Sequence, residues 1–497
     1  MESPKRLKVN EDRLIRRKLR NAIGEEKVKD DELSLATYAF DASPRPFSKP
    51  LCVVLPASRD DVRETLVIAN KYRIPVAVMS SGVTQRGHTV SLEGGMVIDL
   101  RRMNKVIEIN TDAGYAVIEP GVNFDKFSGE LSKRGFRCHM TTAPGGAATL
   151  GNNLLRSSGS LSTRQLDSIL DIEVVLPDGT IANTGSSHFP GVGSHMRYGP
   201  FPDLSGLFCC AYGTLGVITK AAIRIYPINE SAKVSVATFD SFASAVDFVK
   251  DIINHNIPEH CIIWNWQLYR MFEISNPDNP VFEIPMELTK DPVQAPAGSP
   301  YSVVTSFLSG YAETIKSHDK VCAKVAQKYG GNVLSQKEAE GMLPGSMKGW
   351  DQLYVKYRPV VPLSFFGLGK YLPWIVMTEP KDVKDLEKWA VKEISKLSKP
   401  VSYYAQPFDF GRSIFFRIFV FPEASNKKLI EEVGKTYSNM YKEAMKRYGA
   451  IPYRHNPGQP FIFDTGGYYD LLKRIKQAVD PNNILSPHIS LFKEEKK

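Results

Sequence analysis

The chain has 497 residues, 42% of them hydrophobic and 24% charged, with a formal net charge of +9. This length exceeds what one hydrophobic core usually supports and predicts two domains, and no stretch approaches the roughly 20 apolar residues of a membrane span. Lys and Arg are interleaved with 54 acidic residues, which favours a solvated basic surface over a nucleic-acid interface and is compatible with an acidic electron-transfer partner.

The N-terminal stretch and the cysteines indicate the compartment. Residues 1–32 are charged throughout and lack the apolar core of a secretory signal, which predicts a cytoplasmic protein. The six cysteines are scattered, without a CxxC pair, and are expected to be reduced core residues. The nine histidines follow no metal-ligand spacing, so no metal site is predicted.

The N-terminal elements form a strand–helix–strand unit that presents a loop. An apolar stripe predicts a helix over residues 10–32, and a proline-containing segment then leads into a strand over residues 51–55. Ser58 is a natural N-cap for the helix that ends near Lys71. The strand after it, residues 75–79, runs into a loop of small and hydroxyl side chains.

That loop, Ser80-Ser81-Gly82-Val83-Thr84, could hold a phosphate because its backbone N–H groups are closely approachable. Taken alone, the same composition is typical of an ordinary tight turn. Two more glycine-rich loops follow a predicted hairpin, at residues 141–153 and 212–219. Three such loops suggest a nucleotide held by loops, because neither the GxGxxG nor the GxxxxGK[ST] pattern is present.

The pattern of predicted elements changes after residues 227–231. Longer amphipathic helices alternate with isolated strands, which predicts an α+β domain whose helices cover one face of an antiparallel sheet. A helix is predicted over residues 427–448, followed by Tyr453-Arg454 and a short helix that ends near residues 479–485.

Four motifs carry a family resemblance: SSGVT, VIEPGV, GGAATLGNN and DLSGLFCCAYGTLGVITKAAIRIYP. Their order resembles the FAD-binding domain of the flavoenzyme family of vanillyl-alcohol oxidase and p-cresol methylhydroxylase (PCMH), which also includes D-lactate and glycolate dehydrogenases. It implies an α+β, two-domain flavoprotein: a PCMH-type FAD-binding domain over residues 1–228, an α+β cap or substrate domain over 229–430, and a C-terminal segment, 431–497, that packs back on the FAD domain.

The resemblance also implies which residues bind FAD. The first loop is expected to wrap the pyrophosphate, the second to lie along the flavin, and the third to line the ribityl chain and isoalloxazine. The residues so assigned are Ser80, Ser81, Gly82, Val83, Thr84, Pro144, Gly145, Gly146, Gly151, Asn152, Gly213, Gly216, Val217, Ile218 and Thr219.

The FAD is expected to be non-covalent. Relatives that tether the flavin carry a His in the first loop, or a His or Tyr on a later strand, whereas this chain has Ser80 to Val83 and Ser413-Ile-Phe-Phe-Arg417 there. His88 is the candidate tether if the flavin is attached, and otherwise an ordinary loop histidine.

Tyr453-Arg454 aligns with a Tyr-Arg pair that binds the substrate phenolate in the 4-hydroxybenzyl oxidases. Two donors, one permanently charged, lower a phenol pKa and favour loss of a benzylic hydride to flavin N5. The first-choice substrate is therefore a 4-hydroxybenzyl alcohol or alkylphenol. The pair could also be an ordinary surface strand end.

Departures from the family pattern keep other functions open. Val83 and Ala143 replace a phenol-binding Tyr and an acid of the phenol oxidases, while the His-rich metal motif of the D-lactate and glycolate branch is also missing. The alternative is a D-2-hydroxy acid dehydrogenase that clamps a carboxylate with Arg454, Arg417 or Arg412. A flavin-free binding or scaffold relative is the alternative from another class. Expected partners are a small-molecule substrate, oxygen, a protein or quinone electron acceptor, and a second copy of the chain.

Overall fold

The structure, a computed structural model, describes residues 9–41, 47–82, 87–91, 95–138, 145–154, 168–273, 299–342, 372–398, 401–423, 425–453, 466–487 and 489. Four residues assigned to the site, Val83, Thr84, Pro144 and Arg454, lie outside this set. Within the described ranges the strands form sheets of four, five, two and eight strands. No helix in these ranges is long and apolar enough to cross a membrane.

The first sheet and its helices use the N-terminal residues. The strands are β1 (Val28–Lys29), β2 (Cys52–Val54), β3 (Val76–Met79) and β4 (Met96–Asp99), in the order β1-β2-β4-β3. The helices are α1 (Val9–Ile23), α2 (Glu32–Thr37) and α3 (Arg59–Lys71). As predicted, Ser58 caps α3, in a reciprocal capping box with Asp61. The helix predicted over 10–32 is shorter, because the chain turns at Gly24, where φ is +106°.

The second sheet is antiparallel and follows directly. Its strands are β5 (Val106–Asn110), β6 (Tyr115–Ile118), β8 (Ile169–Val175), β9 (Ile181–Asn183) and β10 (Val217–Arg224), in the order β5-β6-β10-β8-β9. A two-stranded ribbon is formed by β7 (Phe136–Arg137) and β11 (Tyr226–Pro227). The helices here are α4 (Phe124–Ser132), α5 (Thr149–Leu154) and α6 (Ser205–Phe208).

The third layer is an eight-stranded sheet in the order β15-β12-β14-β13-β17-β18-β16-β19, with antiparallel pairs throughout. Its strands are β12 (Ser231–Phe239), β13 (His260–Asn265), β14 (Ser302–Gly310), β15 (Asn332–Val333), β16 (Leu372–Thr378), β17 (Ser402–Phe408), β18 (Ser413–Val420) and β19 (Ile451–Pro452). The helices are α7 (Phe242–Asn254), α8 (Trp266–Glu273), α9 (Ala312–Lys328), α10 (Gln336–Met342), α11 (Val383–Ile394) and α12 (Lys427–Tyr448).

The two faces of this sheet have different neighbours, because successive strand residues point to opposite faces. On β18, Phe416 and Ile418 join the core under α7, α9, α11 and α12. Phe415 and Phe419 join a second core, which the sheet shares with α4, α5 and the five-stranded sheet. The predicted α+β class with an antiparallel sheet is confirmed, and α7, α9, α11 and α12 cover one face; α8 and α10 pack with the core on the other face.

The C-terminal part of the chain contacts both the eight-stranded sheet and the first sheet. Helix α12 and strand β19 pack with the eight-stranded sheet. After α13 (Gly467–Val479) the chain returns to the first sheet, where Val76 donates its N–H to the Ile484 carbonyl and accepts from the Ser486 N–H, both at 2.7 Å. Residues 484–486 thus extend that sheet beside β3. The proposed boundaries at 228 and 430 stay a prediction.

Candidate functional site

The first glycine loop leaves the carboxyl end of β3. Gly82 has φ of +72°, a conformation that favours glycine. The loop is held from outside by the segment that precedes β2, because the Asp41 carboxylate accepts from the Gly87 N–H at 2.7 Å. Ser80, Ser81 and Gly82 are all half-buried. This loop therefore presents small groups and backbone from a fixed position.

The second and third loops converge on the first. A Cβ added to Gly151, in α5, would lie 3.1 Å from Ser80 Oγ. A Cβ added to Gly213 would lie 3.5 Å from the Val78 Cβ and 3.4 Å from Ser486 Oγ. The three loops that the sequence singled out thus meet around the end of β3. We call this set, residues 80–82, 145–152, 210–214 and 484–486, the cradle.

The cradle fits FAD on its own chemistry. The buried hydroxyls of Thr149 and Ser486 have no hydrogen-bond partner among the described residues, so both can bind an outside group. A Cβ added to Gly146 would meet no atom of the described residues within 4 Å, so these residues leave space beside that backbone. Approachable backbone and free hydroxyls are what a diphosphate and a flat ring system need.

The third loop contains backbone strain. Three residues there have positive φ: Cys210 at +59°, Tyr212 at +54° and Gly213 at +73°. Non-glycine residues in this region are costly and cluster at ligand sites. The Tyr212 ring also contacts the His88 ring, with centroids 4.7 Å apart, which ties this loop to the segment after the first loop.

The buried side chain of Lys476 links two segments of the cradle, residues 210–214 and 484–486. Its ammonium donates to the carbonyls of Thr214 at 2.7 Å and Leu485 at 3.0 Å, and pairs with Asp480 at 2.5 Å. Asp480 in turn accepts from the N–H groups of Ile484 and Leu485. Burial lowers the pKa of Lys476, and the Asp480 carboxylate opposes that shift. One buried ion pair therefore joins the third loop to the C-terminal strand.

Other assigned residues have their contacts with the rest of the protein. A Cβ at Gly216 would clash with Val174, and one at Gly145 with Asp125. Val217 and Thr219 are buried on β10, and Thr219 donates to Glu173 at 2.7 Å. Ile218 is partly buried against the shared core, and Asn152 donates to the Ala148 carbonyl. The motif thus contains residues that build the sheet as well as residues at the cradle.

Glu173 shows what the interior part of that motif does. Burial would raise the pKa of Glu173, but hydrogen bonds from Thr219 and Lys220 outweigh it and hold the pKa below its usual value. Arg59 of α3 also reaches this carboxylate, at 3.1 Å. The network joins α3 to the second sheet and so fixes the two sheets that carry the loops.

A second polar cluster fixes the edge of the first sheet. The Tyr38 hydroxyl donates to Asp99 at 2.7 Å, and Arg101 donates to both. Burial and the hydrogen bond to Asp99 raise the pKa of Tyr38 to about 12. Asp99 lies beside Met79 in the parallel pair of β4 and β3. The segment that supplies Asp41 is therefore itself anchored next to the first loop.

Tyr453 lies in an aromatic cluster on the inner face of the eight-stranded sheet. Its N–H donates to the Ile375 carbonyl. Its ring is stacked on Phe408, with centroids 6.2 Å apart, and stands edge-on to Phe415 at 4.8 Å. We call this surface the aromatic wall; its members are Trp264, Tyr404, Phe408, Phe415, Arg417, Phe419 and Tyr453.

Arg417 places a cation within the aromatic wall. Its guanidinium lies 5.4 to 6.0 Å from the ring centroids of Tyr404, Phe415 and Phe419. It also donates to the Tyr404 hydroxyl at 3.1 Å. Arg412, by contrast, is exposed and pairs with Asp409 on the connecting turn. Of the candidate carboxylate clamps that the structure describes, only Arg417 belongs to the wall.

The wall and the cradle share one hydrophobic core. Ala147 and Leu150, from the second loop and α5, belong to the same buried cluster as Tyr404 and Phe415. A buried ion pair also links the two sides: Arg137 on β7 binds Glu259, next to β13, at 2.6 and 2.9 Å. The wall therefore lies on the face of the eight-stranded sheet that shares its core with the second glycine loop.

The sequence alone assigned no site role to Lys476, Ser486, Asp41 or Tyr38. All four act over separations of tens to hundreds of residues, which no local pattern reports. The Asp-Pro-Asn-Asn run at 480–483 was the available signal, since Asp before a turn often accepts backbone hydrogen bonds.

Two family models match the chain. Residues 50–185 match the FAD binding domain, and residues 420–489 match the C-terminal domain of FAD linked oxidases. The first match contains the first two glycine loops, and the second contains Lys476 and the strand at 484–486. Among the described residues, no group of three or more His, Cys, Asp or Glu side chains is arranged to hold a metal ion.

Known proteins from two functional groups are similar along nearly the whole chain. The glycolate oxidase subunit GlcD of Bacillus subtilis is 24% identical, over 97% of this chain and 98% of its own. The 4-cresol dehydrogenase flavoprotein subunit of Pseudomonas putida is 26% identical, over 88% and 87%. The structure of p-cresol methylhydroxylase with substrate bound superposes with a TM-score of 0.84 at 23% identity, covering 98% of each chain.

Proposed function

The chain is an FAD-linked oxidoreductase that carries the FAD binding domain and the C-terminal domain of the FAD linked oxidases, and from that premise we propose that it oxidises the benzylic carbon of a 4-hydroxybenzyl alcohol or alkylphenol. The observation that carries this proposal is the aromatic wall. The ring of Tyr453 packs against the rings of Phe408 and Phe415, on the side of the sheet whose core the second glycine loop shares.

The cradle residues would hold the cofactor. Ser80 to Gly82 would bind the diphosphate, while Gly146, Gly151 and Gly213 would admit the flavin, whose N5 accepts a hydride when it is bound. We propose that this FAD is non-covalent, because residues 79–83 and 413–417 contain no His, Cys or Tyr. His88 is the alternative tether. Denaturation in acid should release all the yellow colour, and flavin retained on a peptide containing His88 would contradict this.

The chain's own residues would prepare the substrate. Tyr453 and Arg454 would donate to the phenol oxygen and hold it as the phenolate, because a cation and a donor both lower a phenol pKa. The rings of the wall would keep the substrate ring flat and exclude water. Loss of a benzylic hydride from the phenolate gives a quinone methide. Water adds to it when the substrate is an alkylphenol, whereas loss of a proton gives the aldehyde when it is an alcohol.

A second candidate is a D-2-hydroxy acid dehydrogenase. Arg417 favours it, because a guanidinium on the wall can bind a carboxylate through two parallel hydrogen bonds. The similarity to a glycolate oxidase subunit over 97% of the chain also supports it. In this reading Arg417 binds the carboxylate, and the carbon that bears the hydroxyl loses the hydride.

The electron acceptor and location belong to the same proposal. The electrons would pass to oxygen, to a protein carrier or to a quinone. A cytoplasmic location is supported by the cysteines, since none of the six forms a disulfide and five are buried. The proposed division into residues 1–228, 229–430 and 431–497 assigns the cradle loops to the first and last parts, and most of the wall to the middle part.

Anaerobic bleaching of the flavin tests the two substrates side by side. Vanillyl alcohol should bleach the purified yellow protein, and D-lactate should not. Bleaching by D-lactate alone would refute the phenol proposal and support the second candidate. A colourless preparation that takes up no added FAD would support the flavin-free binding or scaffold reading instead.

Variants of the Tyr-Arg pair test the site. Tyr453→Phe should lower the bleaching efficiency with vanillyl alcohol by about 10- to 100-fold, the effect of one hydrogen bond to a charged group. Arg454→Ala should abolish bleaching, with FAD retained. Tyr448→Phe, on the opposite side of the eight-stranded sheet, is the matched control. Full activity in Arg454→Ala would remove that residue from the mechanism.

A further inference from the structure

The proposed oxidation needs a fixed distance between the second glycine loop and the aromatic wall, because flavin and substrate would lie on these two surfaces. Atoms that exchange a hydride must approach to about 3–3.5 Å, and a misplacement of about 1 Å can cost about 100-fold in rate. The loop and the wall come from different parts of the chain. A contact that fixes one relative to the other therefore affects the rate of the reaction.

The second loop is fixed to the first turn of α4. The N–H groups of Phe124 and Asp125 donate to the carbonyls of Ala147 and Gly145, at 3.2 and 3.1 Å. The apolar face of α4 is buried in the core that the loop shares with the wall. After α4 the chain continues into β7, which ends at Arg137. The loop, α4 and β7 thus form one hydrogen-bonded support.

Arg137 joins this support to the eight-stranded sheet. Its Nη1 and Nη2 donate to the two carboxylate oxygens of Glu259, at 2.6 and 2.9 Å. Only 9% and 11% of the two side chains is exposed. The Tyr226 ring, on the strand paired with β7, lies 5.7 Å from the guanidinium. Two parallel hydrogen bonds fix the orientation of the two partners as well as their distance.

Glu259 is in turn fixed to the strands that lead to the wall. Its N–H donates to the Phe307 carbonyl of β14 at 2.9 Å, and its carboxylate accepts from the Ser309 hydroxyl of β14 at 2.5 Å. Strand β13 begins at the next residue and carries Trp264 of the wall, which is paired with Tyr404 of β17. One fully buried strand therefore connects Glu259 with the wall.

We propose that Arg137 is a positioning residue whose ion pair with Glu259 sets the distance between the second loop and the wall. The inference rests on the proposed function, because that function places the hydride acceptor at the loop and the hydride donor at the wall. The shared hydrophobic core holds the two surfaces together, but apolar burial is non-directional and does not choose their orientation. The ion pair is directional and supplies that choice.

Rapid mixing of the flavin-loaded protein with the substrate that bleaches wild type, under anaerobic conditions, tests this. Arg137→Lys keeps the charge but loses the planar fork, so the limiting rate of bleaching should fall by at least about tenfold. The substrate concentration that gives half of that rate should change by less than about threefold, because the wall itself is intact. Glu259→Gln keeps one acceptor oxygen and should repeat the effect. Both variants should retain FAD.

Lys27→Met is the matched control. Lys27 also binds both oxygens of one carboxylate, Asp61, at 3.0 and 2.9 Å, but it joins the first sheet to α3. Its removal should therefore lower stability and leave the limiting rate of bleaching unchanged. This comparison separates the loss of any partly buried ion pair from the loss of the one that links the loop to the wall.

A distance measurement tests the position directly and needs no substrate. Spin labels at Lys133→Cys, at the end of α4, and Lys388→Cys, on α11, report the distance from α4 to the eight-stranded sheet by pulsed electron paramagnetic resonance. The two native side chains are 68% and 71% exposed. The distance distribution should broaden or shift in Arg137→Lys and stay as in wild type in Lys27→Met. Lys133→Cys alone controls for labelling of the native cysteines.

An unchanged limiting rate in both Arg137→Lys and Glu259→Gln, or an equal loss in Lys27→Met, would overturn the proposal. So would a slower reaction with an unchanged distance distribution, because Arg137 would then act otherwise than through position. A wild-type protein that neither vanillyl alcohol nor D-lactate bleaches would instead contradict the proposed function. The distance distribution would still decide whether the ion pair fixes the loop against the wall.

Discussion

The cradle and the aromatic wall share one hydrophobic core, yet they consist of different types of residue. In the cradle it presents backbone and small side chains, such as Ser80, Gly151 and Gly213, and fixes them with a buried ion pair below. In the wall it presents large rings around one guanidinium, and the regular alternation of β17 and β18 fixes their direction. If the cradle binds FAD and the wall binds the substrate, as we propose, substitutions in the wall can change the substrate with less effect on the fold than substitutions in the cradle.

The largest effect is expected where the cradle depends on a single side chain. Lys476→Met removes the donor shared by the Thr214 and Leu485 carbonyls and leaves Asp480 as a buried, unpaired charge. We expect a loss of about 3–5 kcal/mol in the free energy of unfolding, together with loss of FAD. Urea unfolding and the ratio of flavin to protein measure both.

Lys473→Met, on the same face of α13 but half-exposed, is the control and should retain both properties. If Lys476→Met unfolds at the wild-type urea concentration with its flavin in place, the ion pair is not what holds the cradle.

Substitutions at two glycines distinguish the backbone conformation that the cradle needs from the space that FAD would occupy. Gly213→Ala should cost about 1–3 kcal/mol, because φ is +73° there, a backbone conformation that residues with a Cβ rarely adopt. Gly146→Ala should change the stability of the apoprotein by less than about 0.5 kcal/mol, since its surroundings are open. It should nevertheless weaken FAD binding, measured by fluorescence titration. Unchanged FAD affinity in Gly146→Ala would place the flavin elsewhere.

A substitution at Arg417 tests whether the wall selects the substrate. Arg417→Lys keeps the charge but loses the planar fork, so bleaching by a carboxylate substrate should need about tenfold more substrate. Bleaching by vanillyl alcohol should change less, because its phenol is assigned to Tyr453 and Arg454. Arg412→Lys, on the same hairpin, is the control. An equal loss with both substrates would mean that Arg417 shapes the wall without choosing between them.

The smallest effect on stability is expected at Glu387 of α11, which accepts a hydrogen bond from Tyr403 of β17. Burial raises the pKa of Glu387, against the opposing hydrogen bonds from Tyr403 and Tyr301. The folded state therefore binds this proton more tightly than the unfolded state, and the stabilisation present below the ordinary carboxyl pKa is lost as pH rises through the raised pKa.

Glu387→Gln keeps an acceptor for both tyrosine hydroxyls, which bind one oxygen at 2.5 and 2.7 Å. It should match wild type near pH 4 and be somewhat more stable near pH 8, with unchanged bleaching. Urea unfolding across that range measures it, with Glu393→Gln as the control. A steeper decline with pH in Glu387→Gln would reverse the assigned sign.

The difference between the cradle and the wall also explains which features could be predicted from the sequence alone. The capping box at Ser58 and the helix Lys427–Tyr448 follow from local rules, and the glycine loops stand out by composition. The wall does not, because β18 is apolar on both faces and alternation cannot tell which rings face the cofactor. The motif around Gly216 mixes sheet-building residues with cradle residues. Contacts such as Lys476 with Thr214 join residues that are distant in the chain, which no local pattern encodes.

The strand at 484–486 has a consequence for how the protein is made. Its partner, Val76, leaves the ribosome more than four hundred residues earlier, so the edge of β3 must wait for almost the entire chain to be synthesised. Closing so long a loop is slow, and the waiting edge can pair with other chains. If FAD binds in the cradle as we propose, chains that end before residue 476 should lack both Lys476 and this contact with β3, and we expect them not to retain FAD.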